Sequence, residues 1–266
     1  MILALTILGC GSSGGVPRLG AGWGACDPQN PRNRRRRCSI LVERSDVASG
    51  AKTQVLVDTS PDLRQQLLEA GVDRLDAILM THSHADHTHG IDDVRALVIH
   101  NHARIDMYMD ADTSNVVTKA FSYIFETPGH SLYPSLLNEK RLVAGQPVVI
   151  EGLGGPITAL PFRLVHGEID ALGFRFGDIA YTPDFKSVPP DSLAALANLD
   201  LWIIDALRHA PHPSHISLGE ALDWIAQMKP RRAILTNLHT DLDYETLRQS
   251  LPPHVMPAYD GMRIEA

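Results

Sequence analysis

The sequence predicts an α/β fold arranged as a four-layer αββα sandwich. Three observations carry this. Short apolar runs of strand length recur along all 266 residues, helical spacing appears early and again late, and no linker or tandem repeat divides the chain. The order is strands with an early helix, then strands with later helices. Two such halves, packed sheet to sheet with helices outside, make four layers. Residues 1–266 are expected to form one domain with an ample core.

The elements follow in order. Ile2 to Leu8 is an apolar run that ends in a glycine-rich turn, so it reads as a buried strand. Gly9 to Asn33 is rich in glycine and proline and reads as loop. Ser39–Glu43 and Gln54–Val57 read as strands, with Asp58 ending the second. Pro61–Ala70 has Leu63, Leu67 and Leu68 at helical spacing and stops before Gly71. Ala77–Met80 is a short apolar strand that runs straight into a histidine-rich segment. Ile91–His100 reads as one helix with Ile91, Val94, Leu97 and Val98 on a single face.

Met107–Met109 reads as a strand. Residues Thr113–Asn138 mix aromatics (Phe121, Tyr123, Phe125, Tyr133) with turn residues and are expected to form a lid or wall. Pro147–Ile150, Ile157–Val165, Gly173–Phe176, Ile179–Thr182, Leu201–Ile204 and Ala233–Thr236 read as strands, and Ser217–Met228 as a helix.

Composition narrows the class. Hydrophobic residues make up 44% and charged residues 21%, which indicates a globular chain. A formal net charge of -7 argues against a dedicated nucleic-acid binder. The three cysteines, Cys10, Cys26 and Cys38, are odd in number and widely spaced, so a reducing, cytoplasmic setting is expected. The N-terminal apolar run lacks the basic start and the length of a signal peptide, and no segment has the apolar length of a membrane span.

Histidine is the informative residue. Of 13, four fall between His82 and His89 and three between His209 and His215. His82 and His84 lie two apart just after a strand, so in extended chain they point the same way and can reach one cation. Asp86 and His87 follow, and a turn there aims both at a second cation. Mixed imidazole and carboxylate donors suit zinc, manganese or iron better than calcium. Two such cations can activate water and clamp a phosphoryl or carbonyl centre.

The run His82-x-His84-x-Asp86-His87 resembles the signature of the metallo-β-lactamase superfamily, whose fold is the αββα sandwich. That resemblance implies two divalent cations per chain, zinc or manganese, with iron also suitable. It implies His82, His84 and His166 on one metal, Asp86, His87 and His239 on the other, and Asp184 bridging. His166 and Asp184 each follow a predicted strand, as the family pattern asks. The sequence departs from the pattern at Thr236-Asn237-Leu238-His239, where relatives place histidine directly after threonine. Either His239, two residues on and on the same side, or Asn237 completes that site. The nucleophile implied is the hydroxide held by the two metals, with Asp86 orienting it.

The segment Asp205-Ala206-Leu207-Arg208-His209, followed by Pro211-His212-Pro213-Ser214-His215, resembles the phosphodiesterase branch of the superfamily. That branch includes the cyclic phosphodiesterase of the carbon–phosphorus lyase pathway and, more distantly, ribonuclease Z. The stretch from Gly9 to Pro17 resembles the former more closely. The resemblance implies a phosphodiesterase for a small or cyclic ester, with His215 as the acid that protonates the leaving oxygen. His209 and His212 admit two readings equally, one of them packed beside the site or a solvated role. Arg34 to Arg37 admit two readings, a solvated charged face or contacts to substrate phosphate. The extra structural zinc of the cyclic phosphodiesterase is not expected, because the corresponding stretch from Gly20 to Cys26 holds one cysteine and such a site needs four ligands.

Three other readings compete: ribonuclease Z-like RNA processing, a thioester or lactone hydrolase, and a non-catalytic metal-binding accessory protein. The partner expected is a small phosphate ester. Nucleic acid is disfavoured, no membrane is expected, and a homodimer stays open beside a monomer.

Overall fold

The structure, a computed structural model, describes residues 2–127, 129 and 134–265. The first sheet comprises β1 (Ile2–Gly9), β2 (Ser39–Ser45), β3 (Lys52–Val57), β4 (Ala77–Leu79), β5 (Ile105–Met109) and β6 (Leu137–Arg141), with the last strand of the chain, β14 (Met262–Glu265), beside β1. The second runs β13 (Val255–Pro257), β12 (Arg232–Thr236), β11 (Leu201–Asp205), β10 (Ile179–Thr182), β9 (Ile169–Phe176), β8 (Ile157–His166) and β7 (Val148–Ile150). Strands β3 to β6 are parallel, as are β10 to β13. The rest pair antiparallel.

Alternation along each strand decides the layers. In β3, Val55 and Val57 join a core shared with Phe174, Tyr181, Ile203 and Ile234 of the second sheet, while Leu56 faces the other way. Leu56, Ile78 and Met107 pack against α1 (Leu63–Glu69), α3 (Arg95–Asn101) and α4 (Ala111–Ala120) through Leu63, Val98 and Val117. On the opposite flank Trp202, Ile204 and Leu235 pack against α6 (Leu218–Met228) and α7 (Tyr244–Ser250) through Ala221, Ile225 and Leu247. Three apolar layers between four structural layers make the αββα sandwich that the sequence predicts. Strands buried on both faces explain why β3, β4 and β11 read as continuous apolar runs.

Some elements differ from expectation. The single helix over Ile91–His100 is a 3-10 turn at Ile91–Val94 followed by α3, because it starts at Gly90, whose backbone carbonyl accepts from Asp93 and which has no side chain to cap the α form. Residues 113–138 contain most of α4, then α5 (Ser122–Phe125) and the start of β6. Asp110 caps α4 by accepting from the Thr113 amide at 2.8 Å, a signal just outside the stretch read as lid or wall. Phe121 and Phe125 pack on the outer core, and Tyr133 lies outside the described residues. Ser217 caps α6 in a capping box with Glu220, as its position before the helix suggests. No helix among the described residues is long and apolar enough to cross a membrane.

Candidate metal centre

The C-terminal ends of the parallel strands of both sheets meet at one edge of the sandwich. From the first sheet, β3 ends before Asp58 and β4 delivers Thr81 and His82. His84 then starts the one-turn helix α2 (Ala85–Thr88), which carries Asp86 and His87. From the second sheet, β8 ends in His166, β10 leads to Asp184, β11 ends in Asp205, and β12 leads to Asn237. Parallel strands put these ends together because each must finish on the same side of its sheet, and β8, two antiparallel steps from β10, runs in the same direction.

The histidines are held from behind. Asp58 has φ 65° and is fully buried. Its Oδ1 accepts from the Thr81 amide at 2.8 Å, and its Oδ2 accepts from the Thr81 hydroxyl at 2.8 Å and from His87 Nδ1 at 2.7 Å. With the Thr81 proton spent on Asp58, the Thr81 oxygen accepts from His82 Nδ1 at 3.0 Å. The Ser214 carbonyl accepts from His166 Nδ1 at 2.8 Å. Each bond turns a ring so that its Nε2 faces the site, and on His82 and His166 that nitrogen is bare. Asp58 was read from sequence only as a strand end; an acid closing an otherwise apolar strand beside the motif is the signal that marks it.

The bare nitrogens converge. His84 Nδ1 lies 3.0 Å from His82 Nε2 and 3.3 Å from His166 Nε2. At most one proton can serve these contacts, so the three lone pairs repel unless a cation shares them. Asp184 Oδ2 lies 3.4 Å from His87 Nε2 and 3.8 Å from both His82 Nε2 and His166 Nε2. Its other oxygen, Oδ1, is buried with no hydrogen-bond partner. A buried orphan carboxylate oxygen costs free energy unless something cationic meets it. Donor atoms of His82, His84 and His166 lie within 4.8 Å of one another, as do those of His82, His87 and Asp184. The residues therefore fit divalent cations, on donor chemistry as well as on geometry.

Electrostatics agree. Burial, then repulsion from His87, holds His82 well below its ordinary value, so it is neutral and free to ligate. Burial would also push His87 down, but Asp184, Asp58 and Asp86 outweigh it and hold the ring well above. Burial raises Asp184, and the charge and hydrogen bond of His87, with the charge of His215, reverse this to well below the usual carboxylate range. Burial likewise works against Asp86, yet His87 keeps it low, with His87 Nε2 3.5 Å from Asp86 Oδ2.

A model of the beta-lactamase superfamily domain matches residues 53–237. The chain belongs to the metallo-β-lactamase superfamily. A solved structure described as a new diphosphatase from the PhnP family superposes with TM-score 0.87 at 35% identity, over 99% of this chain and 98% of that one. An octanoyltransferase of Porphyromonas gingivalis (strain ATCC BAA-308 / W83) is 33% identical over 259 residues, 96% of this chain and 50% of that protein. A ribonuclease Z of Bradyrhizobium sp. (strain ORS 278) is 31% identical over 171 residues, 63% of this chain and 51% of that protein. The chain thus spans about half the length of the curated relatives it matches.

This member of the metallo-β-lactamase superfamily has a cavity of about 330 Å³ over the cluster. His215 lines it, with its ring centroid 4.6 Å from that of His166. Its Nδ1 donates to Asp205 Oδ2 at 3.0 Å, which leaves Nε2 for the cavity. Burial would lower His215, but the Asp205 bond and the charge of Asp184 raise it to about 9. Burial raises fully enclosed Asp205 to about 7 against the pull of His215. Asp205 is a second residue that the sequence reading left as a strand end. His212 also lines the cavity, 5.1 Å from His215 between ring centroids, whereas His209 is exposed.

Asn237 and His239 resolve the departure from the family pattern in an unexpected way. Asn237 has φ 61°, a left-handed conformation that asparagine tolerates. Its amide nitrogen donates to Asp205 Oδ1 at 3.1 Å and so braces the carboxylate that holds His215. His239 lines the same cavity but belongs to none of the close donor groups among the described residues. Its Nε2 lies 2.8 Å from Arg18 Nη1.

The arginine run does not line this cavity, and of the four only Arg34 is exposed. Arg35 is buried and donates to the Leu242 and His239 carbonyls. Arg36 pairs with Asp260 and Glu69, and Arg37 with Asp62. Arg34 lies over the Trp23 ring. Cys26 is buried beside Arg35, whose Nη1 is 3.8 Å from its sulfur.

Proposed function

We propose that the chain is a dinuclear metal-dependent phosphodiesterase acting on a small or cyclic phosphate diester. The observation that carries this reading is the Asp205–His215 pair, which faces the same cavity as the candidate metal ligands. Acyl transfer from a thioester has no need of such an acid, because a thiolate departs without a proton. The 35% identical solved structure, described as a diphosphatase, supports phosphorus chemistry.

In this reading His82, His84 and His166 hold one cation, Asp86 and His87 the other with His239, and Asp184 both. Zinc, manganese and iron all suit the set. When bound, the cations supply positive charge that activates water and neutralises a phosphoryl centre. The chain's own residues do the rest. Asp86, kept ionised, accepts a hydrogen bond from the attacking water and aims it, and the proton that this water sheds passes to solvent. His215, protonated at neutral pH, donates from Nε2 to the departing oxygen. Asp205 holds the ring by its other nitrogen and stabilises its charge, and Asn237 holds Asp205. The cavity volume suits a small ester, and the acidic net charge disfavours a long nucleic acid. A cytoplasmic setting fits three free, buried thiols.

Turnover of a panel tests the proposal: bis(4-nitrophenyl) phosphate, cyclic phosphates, a lactone and a thioester, with metal content measured on the same samples. Preference for the diesters supports it; preference for the acyl substrates, or no turnover by metal-loaded protein, overturns it. The relatives named ribonuclease Z favour a second reading, RNA processing. Efficient, site-specific cleavage of precursor transfer RNA would put that reading first.

A further inference from the structure

We infer that Arg18 competes with the second divalent cation for His239, so that the two metal positions differ widely in affinity. This rests on the dinuclear reading above. An arginine can only donate, so at 2.8 Å from Arg18 Nη1 the His239 Nε2 must be the acceptor, and its lone pair is in use. The other ring nitrogen cannot replace it. His239 Nδ1 is turned to Asp241 Oδ1 at 3.2 Å and Thr240 Oγ1 at 3.3 Å. Asn237, the neighbouring alternative, directs its amide nitrogen to Asp205 instead.

The arginine is built into position. It opens a hairpin in which Arg18 and Gly22 exchange backbone hydrogen bonds at 2.8 and 2.7 Å. The far end docks beside His239, where the Ala25 amide donates to the Thr240 carbonyl at 2.8 Å. Gly14 leaves the space through which the side chain passes. A Cβ there would fall 2.6 Å from Arg18 Nε and 2.8 Å from its Cγ. Ser12 and Ser13 line the same cavity, so this loop forms one wall of it.

Two consequences follow for the second position. It is left with Asp86, His87 and Asp184, without the fourth protein donor. The Arg18 guanidinium also lines the same cavity as Asp86 and Asp184, where its charge disfavours a divalent ion. The first position, His82, His84 and His166, does not draw on His239. Binding of the second ion therefore requires Arg18 to leave His239, and departure of the ion lets Arg18 return.

Competitive titration of zinc and manganese against a chelator, with ions per chain counted by elemental analysis, tests this without reference to turnover. The wild type should keep one ion through dialysis that removes the other. Arg18→Ala should tighten the second ion by about tenfold or more, as removing a unit charge beside a divalent ion implies. Gly14→Ala, which displaces the same side chain, should act in the same direction by a smaller factor. His239→Ala should matter little in the wild type but should loosen the second ion by about tenfold in the Arg18→Ala background, a coupling read from the double-mutant cycle. Retention of the first ion is the folding control, and Arg18→Gln carries the test should the alanine variant lose that ion as well.

Two equally tight ions in the wild type, with no change in either Arg18 variant, would overturn the inference and leave the phosphodiesterase reading standing. So would a His239→Ala effect equal in both backgrounds. Uptake of only one ion by every variant would overturn the competition together with the second position. The expected metal pattern with no diester turnover would instead overturn the functional reading alone.

Discussion

The two sheets contribute to the same centre in opposite ways. The first sheet supplies its donors from one short segment, His82 to His87, locked by a single buried carboxylate, Asp58. The second supplies His166, Asp184, Asp205, His215 and Asn237 from the ends of four strands and a loop, spread over 72 residues from His166 to Asn237. The first contribution is local and rigid, as a metal-binding motif needs. The second is assembled by topology and carries the proposed proton donor, His215, and the irregular Thr236–His239 segment.

The largest effect should come from the residue that joins the two. Asp184 lies within 3.8 Å of three histidines from both contributions. Asp184→Asn should lower diester turnover on the order of a thousandfold, comparable to losing a preorganised electrostatic group in other sites. Its histidines should also keep fewer ions. Full activity with two ions bound would show that the sheets work independently.

Breaking the rigid side from behind should cost less. Asp58→Ala leaves every donor in place but frees His87 and Thr81. Loss of such an outer partner weakens metal binding by about 10- to 100-fold, which chelator titration reads directly. An unchanged affinity would mean that α2 alone positions His87.

The assembled side has a subtler probe. His215 is held near 9 by Asp205, so its acid form is complete below that pH and is lost as pH rises through it. Diester kcat/KM should fall on the alkaline side, and bound cations nearby bring that limb lower. Asp205→Asn removes the carboxylate that raises the ring, so the limb should move to lower pH. A limb that stays in place would assign it to another group.

This contrast also explains what could be read in the sequence. His82 to His87 was legible because its spacing is the chemistry: alternate residues of an extended segment share a direction. His166 and Asp184 needed the family pattern as well, since one histidine or aspartate after a strand is ordinary. Asp58 and Asp205 ended their strands in plain view, but only three-dimensional packing shows that each sits behind a histidine. Arg18 was not legible at all, because it reaches His239 across 221 positions through a glycine loop whose path no periodicity encodes. In the fold, the strands buried on both faces stood out as apolar runs. The stretch from α4 to β6 did not, because its short helices begin at a cap rather than in an apolar stripe, and α7, β13 and β14 were too short to carry a pattern.

The most direct test of the phosphodiesterase account is the leaving-group dependence of His215→Ala. A proton donor matters when the departing oxygen is a poor leaving group. The account predicts a loss of about a hundredfold or more with an alkyl diester, and less than about tenfold with bis(4-nitrophenyl) phosphate. Equal losses on the two esters, with metal content unchanged, would contradict it.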